Sequence, residues 1–149
     1  MRIVLPLALL SVLTLTVSCR QPTAAELSDP RKTLVLDALK KIRANDQQGF
    51  LRTLHPVRLN LLHHEDLRDI YLEMSDEKKF NDLRDYVNEL PTDDWKLEYR
   101  AKGEASVLLL SVKNHQDEHF KPVLNFFLMK IELSTGAREV IWEILPVIE

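Results

Sequence analysis

Trp95-Lys96-Leu97-Glu98-Tyr99-Arg100-Ala101-Lys102 is the point at which the chain changes its hydrophobic period. Trp95, Leu97, Tyr99 and Ala101 alternate with Lys96, Glu98, Arg100 and Lys102, the period-2 pattern of a strand with one buried face. After Gly103-Glu104 comes Ala105 to Val112, whose run Val107-Leu108-Leu109-Leu110 predicts a strand covered on both faces. Pro122 to Leu133 and Glu139 to Leu145 complete a set of four, the last two joined through Ser134-Thr135-Gly136-Ala137. Four strands in succession with short links make an antiparallel meander.

Upstream of Trp95 the period is helical. Asp29-Pro30 is a helix start, because a carboxylate can accept from free backbone donors and proline tolerates the first helical position. Val35, Ala38, Leu39 and Ile42 then fall on one stripe. Asp46 caps a short helix carrying Phe50, Leu51 and Leu54, which His55-Pro56 ends, since the residue before proline disfavours the helical region. Val57 to Leu62 fits a strand or a helical turn equally. Leu67, Ile70, Tyr71 and Met74 resume the stripe, followed after Ser75 by Phe80, Leu83, Val87 and Leu90, with Pro91 closing the helical half. Helices first and strands last predict an α+β domain in which N-terminal helices pack on a curved four-stranded antiparallel sheet.

The amino terminus has a different character. Arg2 precedes Ile3 to Val17, an apolar run interrupted only by Pro6, Ser11, Thr14 and Thr16, and this reads as a signal peptide over residues 1–18. A membrane span needs about 20 apolar residues, and no basic stop-transfer cluster follows. Of 149 residues this leaves 131, one ordinary domain expected over 29–149, joined by a polar tether over 19–28. Removing Arg2 leaves 19 basic against 23 acidic residues, a mildly acidic surface that excludes nucleic acid as the expected partner. With 3 glycines in the chain there is no phosphate-cradling loop, and with 1 cysteine there is no internal disulfide.

That single cysteine stands at the end of the apolar run, and Thr16-Val17-Ser18-Cys19 resembles the lipobox of bacterial lipoproteins, with Thr16 where that family prefers leucine. The resemblance implies a diacylated Cys19 as the mature amino terminus and anchorage in the bacterial membrane. In a Gram-negative source, Arg20 after the cysteine resembles lipoproteins sent to the outer membrane, facing the periplasm. The mature chain, with Asp46-Gln47-Gln48-Gly49-Phe50-Leu51, then more helix, then long strands ending on Trp142-Glu143-Ile144, is similar to small exported domains of the nuclear-transport-factor-two-like superfamily. The cystatin-like arrangement of a helix on four strands stays open beside it. That superfamily holds both enzymes and pure binders, so the likeness assigns no activity.

The residues themselves carry no catalytic constellation and call for no cofactor. His64-Glu65-Asp66-Leu67-Arg68 begins like the zinc-protease helix motif but has Arg68 where the second histidine must stand. His63-His64 with His55, and His115-Gln116-Asp117-Glu118-His119 with its candidate ligands His115 and His119, have metal-binding side chains. A solvated helix start accounts better for the first group and a polar hairpin loop for the second. Asp93-Asp94 after Pro91-Thr92 reads as a turn rather than a catalytic pair. No serine sits in a nucleophile elbow.

The expected site lies instead among aromatic and aliphatic residues. Phe126 and Phe127 are neighbours in a strand and must point to opposite faces, so one of them lies away from the helices. The foremost functional expectation is a lipid-anchored, non-catalytic module that holds an envelope protein partner on the sheet face or in a concave pocket. An alternative is a carrier or sensor of a small apolar ligand, in a cavity lined by Leu83, Val87, Phe127 and Trp142. A hydrolase or isomerase ranks behind both.

Overall fold

The computed structural model describes residues 22–56, 69–92, 94–113 and 118–148. Residues 1–21 with Cys19, the 57–68 stretch with His63 and His64, Asp93, residues 114–117 with His115, and Glu149 lie outside them. The helices are α1 (Ala24–Leu27), α2 (Pro30–Arg43), α3 (Gln47–Leu51), α4 (Ile70–Ser75) and α5 (Glu77–Glu89). The strands β1 (Trp95–Ala101), β2 (Ala105–Lys113), β3 (Phe120–Leu133) and β4 (Gly136–Pro146) follow in one antiparallel sheet of order β1-β2-β3-β4. The molecule is α+β, helices first and strands last.

Each helix begins on an oxygen-bearing side chain that accepts a free backbone N–H: Thr23, Asp29, Asp46, Asp69 and Asp76. Asp29 accepts from the amides of Arg31 and Lys32, with Pro30 in the first turn, as the sequence predicts. The end of α2 is equally determined. Asn45 adopts φ 57°, its N–H donates to the Ile42 carbonyl, and Asp46 N–H donates to that of Lys41 at 2.9 Å. Asp46 thereby ends one helix and starts the next. Gly49 is required there, because a Cβ at this position would come within 2.0 Å of the Asp46 carboxylate. Gly49→Ala is expected to displace that cap and cost about 1–2 kcal/mol. Urea unfolding checks it, and an unchanged midpoint would show that Asp46 is not needed where it stands.

The expected stripes are the buried ones: Val35, Ala38, Leu39 and Ile42 on α2, and Phe80 and Val87 on α5. They meet one face of the sheet through Leu97, Leu108, Leu110, Leu124, Phe126, Leu128 and Ile141. Inside the helical layer the Phe50 and Phe80 rings lie 5.8 Å apart. Register shifts at Tyr99/Ala101, Leu110/Ser111 and Phe127/Leu128 bend the strands, as bulges do. Among the described residues no helix is long and apolar enough to cross a membrane.

Four details depart from the sequence expectation. The tether ends early: Thr23 and Glu26 form a reciprocal capping box around α1, with Glu26 only 5% exposed, so the folded part begins before Asp29. The last hairpin is tighter, since Leu133 pairs directly with Gly136 across Ser134-Thr135, and Gly136 takes φ 115°. Val107 and Leu109 are only half-buried, so β2 is fully covered on one face and not two. Backbone pairing ahead of α4 is made by Thr53 to His55: Ile141 N–H donates to the Thr53 carbonyl and His55 N–H to that of Ile141, a parallel bridge along the β4 edge.

Candidate functional site

Phe126 is fully buried beneath the helices, and in the register it lies between Leu108 and Ile144. Phe127, one residue on, takes the opposite face. There it meets Trp142, with ring centroids 5.5 Å apart and an edge-on angle of 64°. The shift between Phe127 and Leu128 inserts Trp142 as the extra residue on β4, turning its indole toward Phe127. Pairing extends this outer face through Val107 and Leu109 on β2, Met129 and Ile131 on β3, and Val140 on β4. Ile131 and Val140 are buried yet do not belong to the core cluster under the helices, so they pack on the outer side.

Two polar atoms interrupt this apolar surface. Asn125 Oδ1 and Trp142 Nε1 are buried and have no hydrogen-bond partner among the described residues. An unsatisfied buried group costs roughly 1–3 kcal/mol. The rim is charged, with Lys96 and Glu98 of β1 paired at 3.0 Å and Lys96 over the exposed Phe120 ring at 4.9 Å.

No family model, curated protein or solved structure matches this chain. The site is therefore read from its geometry.

A second cluster joins α2 to the sheet. The Tyr99 hydroxyl donates to both oxygens of Asp29, at 2.9 and 3.0 Å. Arg31 donates to Glu139 at 2.9 Å, to the Gly103 carbonyl at 2.6 Å, to the Glu104 carbonyl at 3.1 Å and to the Ser106 hydroxyl. Asp29, Arg31, Tyr99 and Glu139 border, with Lys102, an open cleft of about 470 Å³. Burial alone would raise the Asp29 carboxyl, but the Tyr99 hydroxyl and the Lys32 and Arg31 amides outweigh it and hold the group below its ordinary value. Burial and the bond to Asp29 push the Tyr99 phenol up to about 12. A raised folded value stabilises the protein fully below the unfolded pKa near 10, and that contribution is lost as pH climbs toward 12. In a Tyr71→Phe/Tyr86→Phe background, absorbance titration at alkaline pH is expected to show Tyr99 ionising about two units late, and Asp29→Asn is expected to bring it back toward 10. A midpoint that stays put in Asp29→Asn would contradict the pairing. Both Asp29 oxygens are engaged, so the cluster fastens elements together and leaves no free acid or base.

The four residues expected to line one cavity do not share one. Val87 is fully buried in the core and Leu83 packs against its edge, while Phe127 and Trp142 lie beyond the sheet. Strand alternation decides this, because Phe126 fills the helix side. The cleft that Leu83 lines, with Ile70, Glu73, Met74, Glu143 and Ile144, holds about 50 Å³, against roughly 300 Å³ or more for small-molecule sites. His119 is exposed just before β3, with its proposed co-ligand His115 outside the described residues. His55 is half-buried; burial holds its imidazole below the ordinary value, while the Pro56 amide group and the charge of Asp69 pull the other way. The Asp69 carboxylate is committed to the Leu72 amide at 3.2 Å, as the α4 cap. Sequence reasoning missed Asn125; a lone amide inside Val123-Leu124-Asn125-Phe126-Phe127 was the available signal. The Asp29–Tyr99 and Arg31–Glu139 pairs, separated by 70 and 108 residues, had none.

Proposed function

We propose that this chain is a lipid-anchored protein of the bacterial envelope, acylated on Cys19, that works by binding an envelope protein on the outer face of its sheet and carries out no catalysis. The observation that carries the reading is the outer face itself, where the Phe127–Trp142 ring pair sits with the half-buried Val107, Leu109 and Met129 on the side away from the helices. Aromatic anchors on a sheet face turned away from the helices are what a partner surface would cover. The small-ligand alternative, which calls for an apolar cavity, gains nothing from the cleft of about 50 Å³ beside Leu83, and the open cleft of about 470 Å³ is lined mainly by the polar and charged groups Ser28, Asp29, Arg31, Tyr99, Lys102 and Glu139. The test is chemical cross-linking of the full-length protein in its native envelope, with recovery through a tag at Glu149 and Cys19→Ala as the unanchored control. A discrete adduct that disappears in Cys19→Ala is expected. Identical recovery from both forms, or none from either, would overturn the reading.

A further inference from the structure

β1 stands at one edge of the sheet, and among the described residues only β2 pairs with it. One bond fixes the phase of its backbone. Lys113 N–H donates to the Asp94 carbonyl at 2.7 Å and Trp95 lies opposite Val112, so Asp94, Lys96 and Glu98 turn their backbone groups toward β2. The N–H and C=O groups of Trp95, Leu97 and Tyr99 therefore point to the other side, away from the sheet. The register shift between Tyr99 and Ala101 ends this regular edge.

An edge strand is a template for another strand, and charge is the common device that keeps strangers off it. The charges here are Lys96 and Glu98, which lie on the face away from the helices with side chains 38% and 58% exposed and pair with each other at 3.0 Å. Their order of sign is self-complementary. Antiparallel pairing of this edge with the same edge of a second copy must bond Trp95, Leu97 and Tyr99 among themselves. Centred on Leu97, it sets Leu97 opposite Leu97 and Trp95 opposite Tyr99, and so places Lys96 of each copy opposite Glu98 of the other. Moving the centre by one residue sets Glu98 against Glu98 or Lys96 against Lys96, and like charges directly opposite are destabilising. Charge thus selects one register.

We propose that a second copy of this chain joins along β1 in that register, making one continuous antiparallel sheet about a two-fold axis at Leu97. About six backbone hydrogen bonds close the contact. The outer faces of the two copies then lie side by side and turn the same way, while the contact itself does not depend on what those faces bind.

The test uses the full-length chain with Cys19→Ala, in detergent solution, so that introduced thiols are the only ones. Lys96→Cys and Glu98→Cys chains carrying different tags are co-expressed and oxidised. Residues opposite each other in a non-hydrogen-bonded pair have Cα atoms about 4.5 Å apart, within disulfide reach, whereas diagonal neighbours at about 7–8 Å are beyond it. The mixed 96–98 disulfide is expected to exceed the 96–96 and 98–98 products by about tenfold or more. In sedimentation equilibrium, Lys96→Glu alone or Glu98→Lys alone is expected to weaken dimerisation by about tenfold or more, and the double exchange Lys96→Glu/Glu98→Lys to restore it. Circular dichroism reports the folding of each variant, and if a reversal unfolds the chain the disulfide ratio decides alone. A chain with Lys96 and Glu98 intact that stays monomeric, a mixed disulfide no more abundant than the 96–96 or 98–98 product, or a double exchange that associates no more tightly than the single reversals overturns the proposal.

Discussion

Phe126→Ala is expected to lower the free energy of unfolding by about 3–5 kcal/mol. The ring is fully buried between Leu108 and Ile144 and under the helical layer, so its removal loses transfer energy and leaves a cavity that two packed layers cannot close. Phe127→Ala, one residue away, is expected to cost only about 1–2 kcal/mol, because that ring is half-buried and its aromatic contact is with Trp142. Urea unfolding of the two variants side by side makes the comparison. The face assignment requires the asymmetry, and equal losses, or a larger loss at 127, would place the core on the wrong side of the sheet.

Arg31→Ala should lose about 2–4 kcal/mol. One guanidinium joins α2 to β4 through Glu139 and to the β1–β2 turn through two backbone carbonyls. Its side chain is 13% exposed and that of Glu139 is 22%, so truncation strands a largely buried carboxylate. Arg31→Lys should recover only part of the loss, since a single ammonium cannot span partners that a planar fork reaches together. If Arg31→Ala unfolds within about 0.5 kcal/mol of the wild type, the joint is solvated and holds nothing.

The change of period at Trp95 was enough to order helices before strands, because local periodicity reports which face of an element is buried. Asp29 and Asp46 announced their helices for a similar reason: a cap is a contact between near neighbours in the chain. The alternation of Phe126 and Phe127 likewise fixed that one ring would leave the core. What stayed hidden depends on distance in sequence. Nothing local says that Arg31 will meet Glu139, or that Trp142 will be the extra residue of a bulge opposite Phe127. The four-residue cavity failed on the same ground, since it joined residues of α5 with strand residues on the far side of the sheet. The shortened tether was legible in principle, because Thr23-x-x-Glu26 is a capping-box pattern.

We propose that the outer face of the sheet, and not the helical side, binds a partner. The most direct test is site-specific photo-cross-linking in the intact envelope, with a photoreactive residue at Val107 or Met129 on that face and at Leu72 on the helical side. A single adduct of defined mass is expected from positions 107 and 129, absent from position 72 and lost when Trp142→Ala is added. Adducts of equal yield from all three positions, or adducts unaffected by Trp142→Ala, would contradict it.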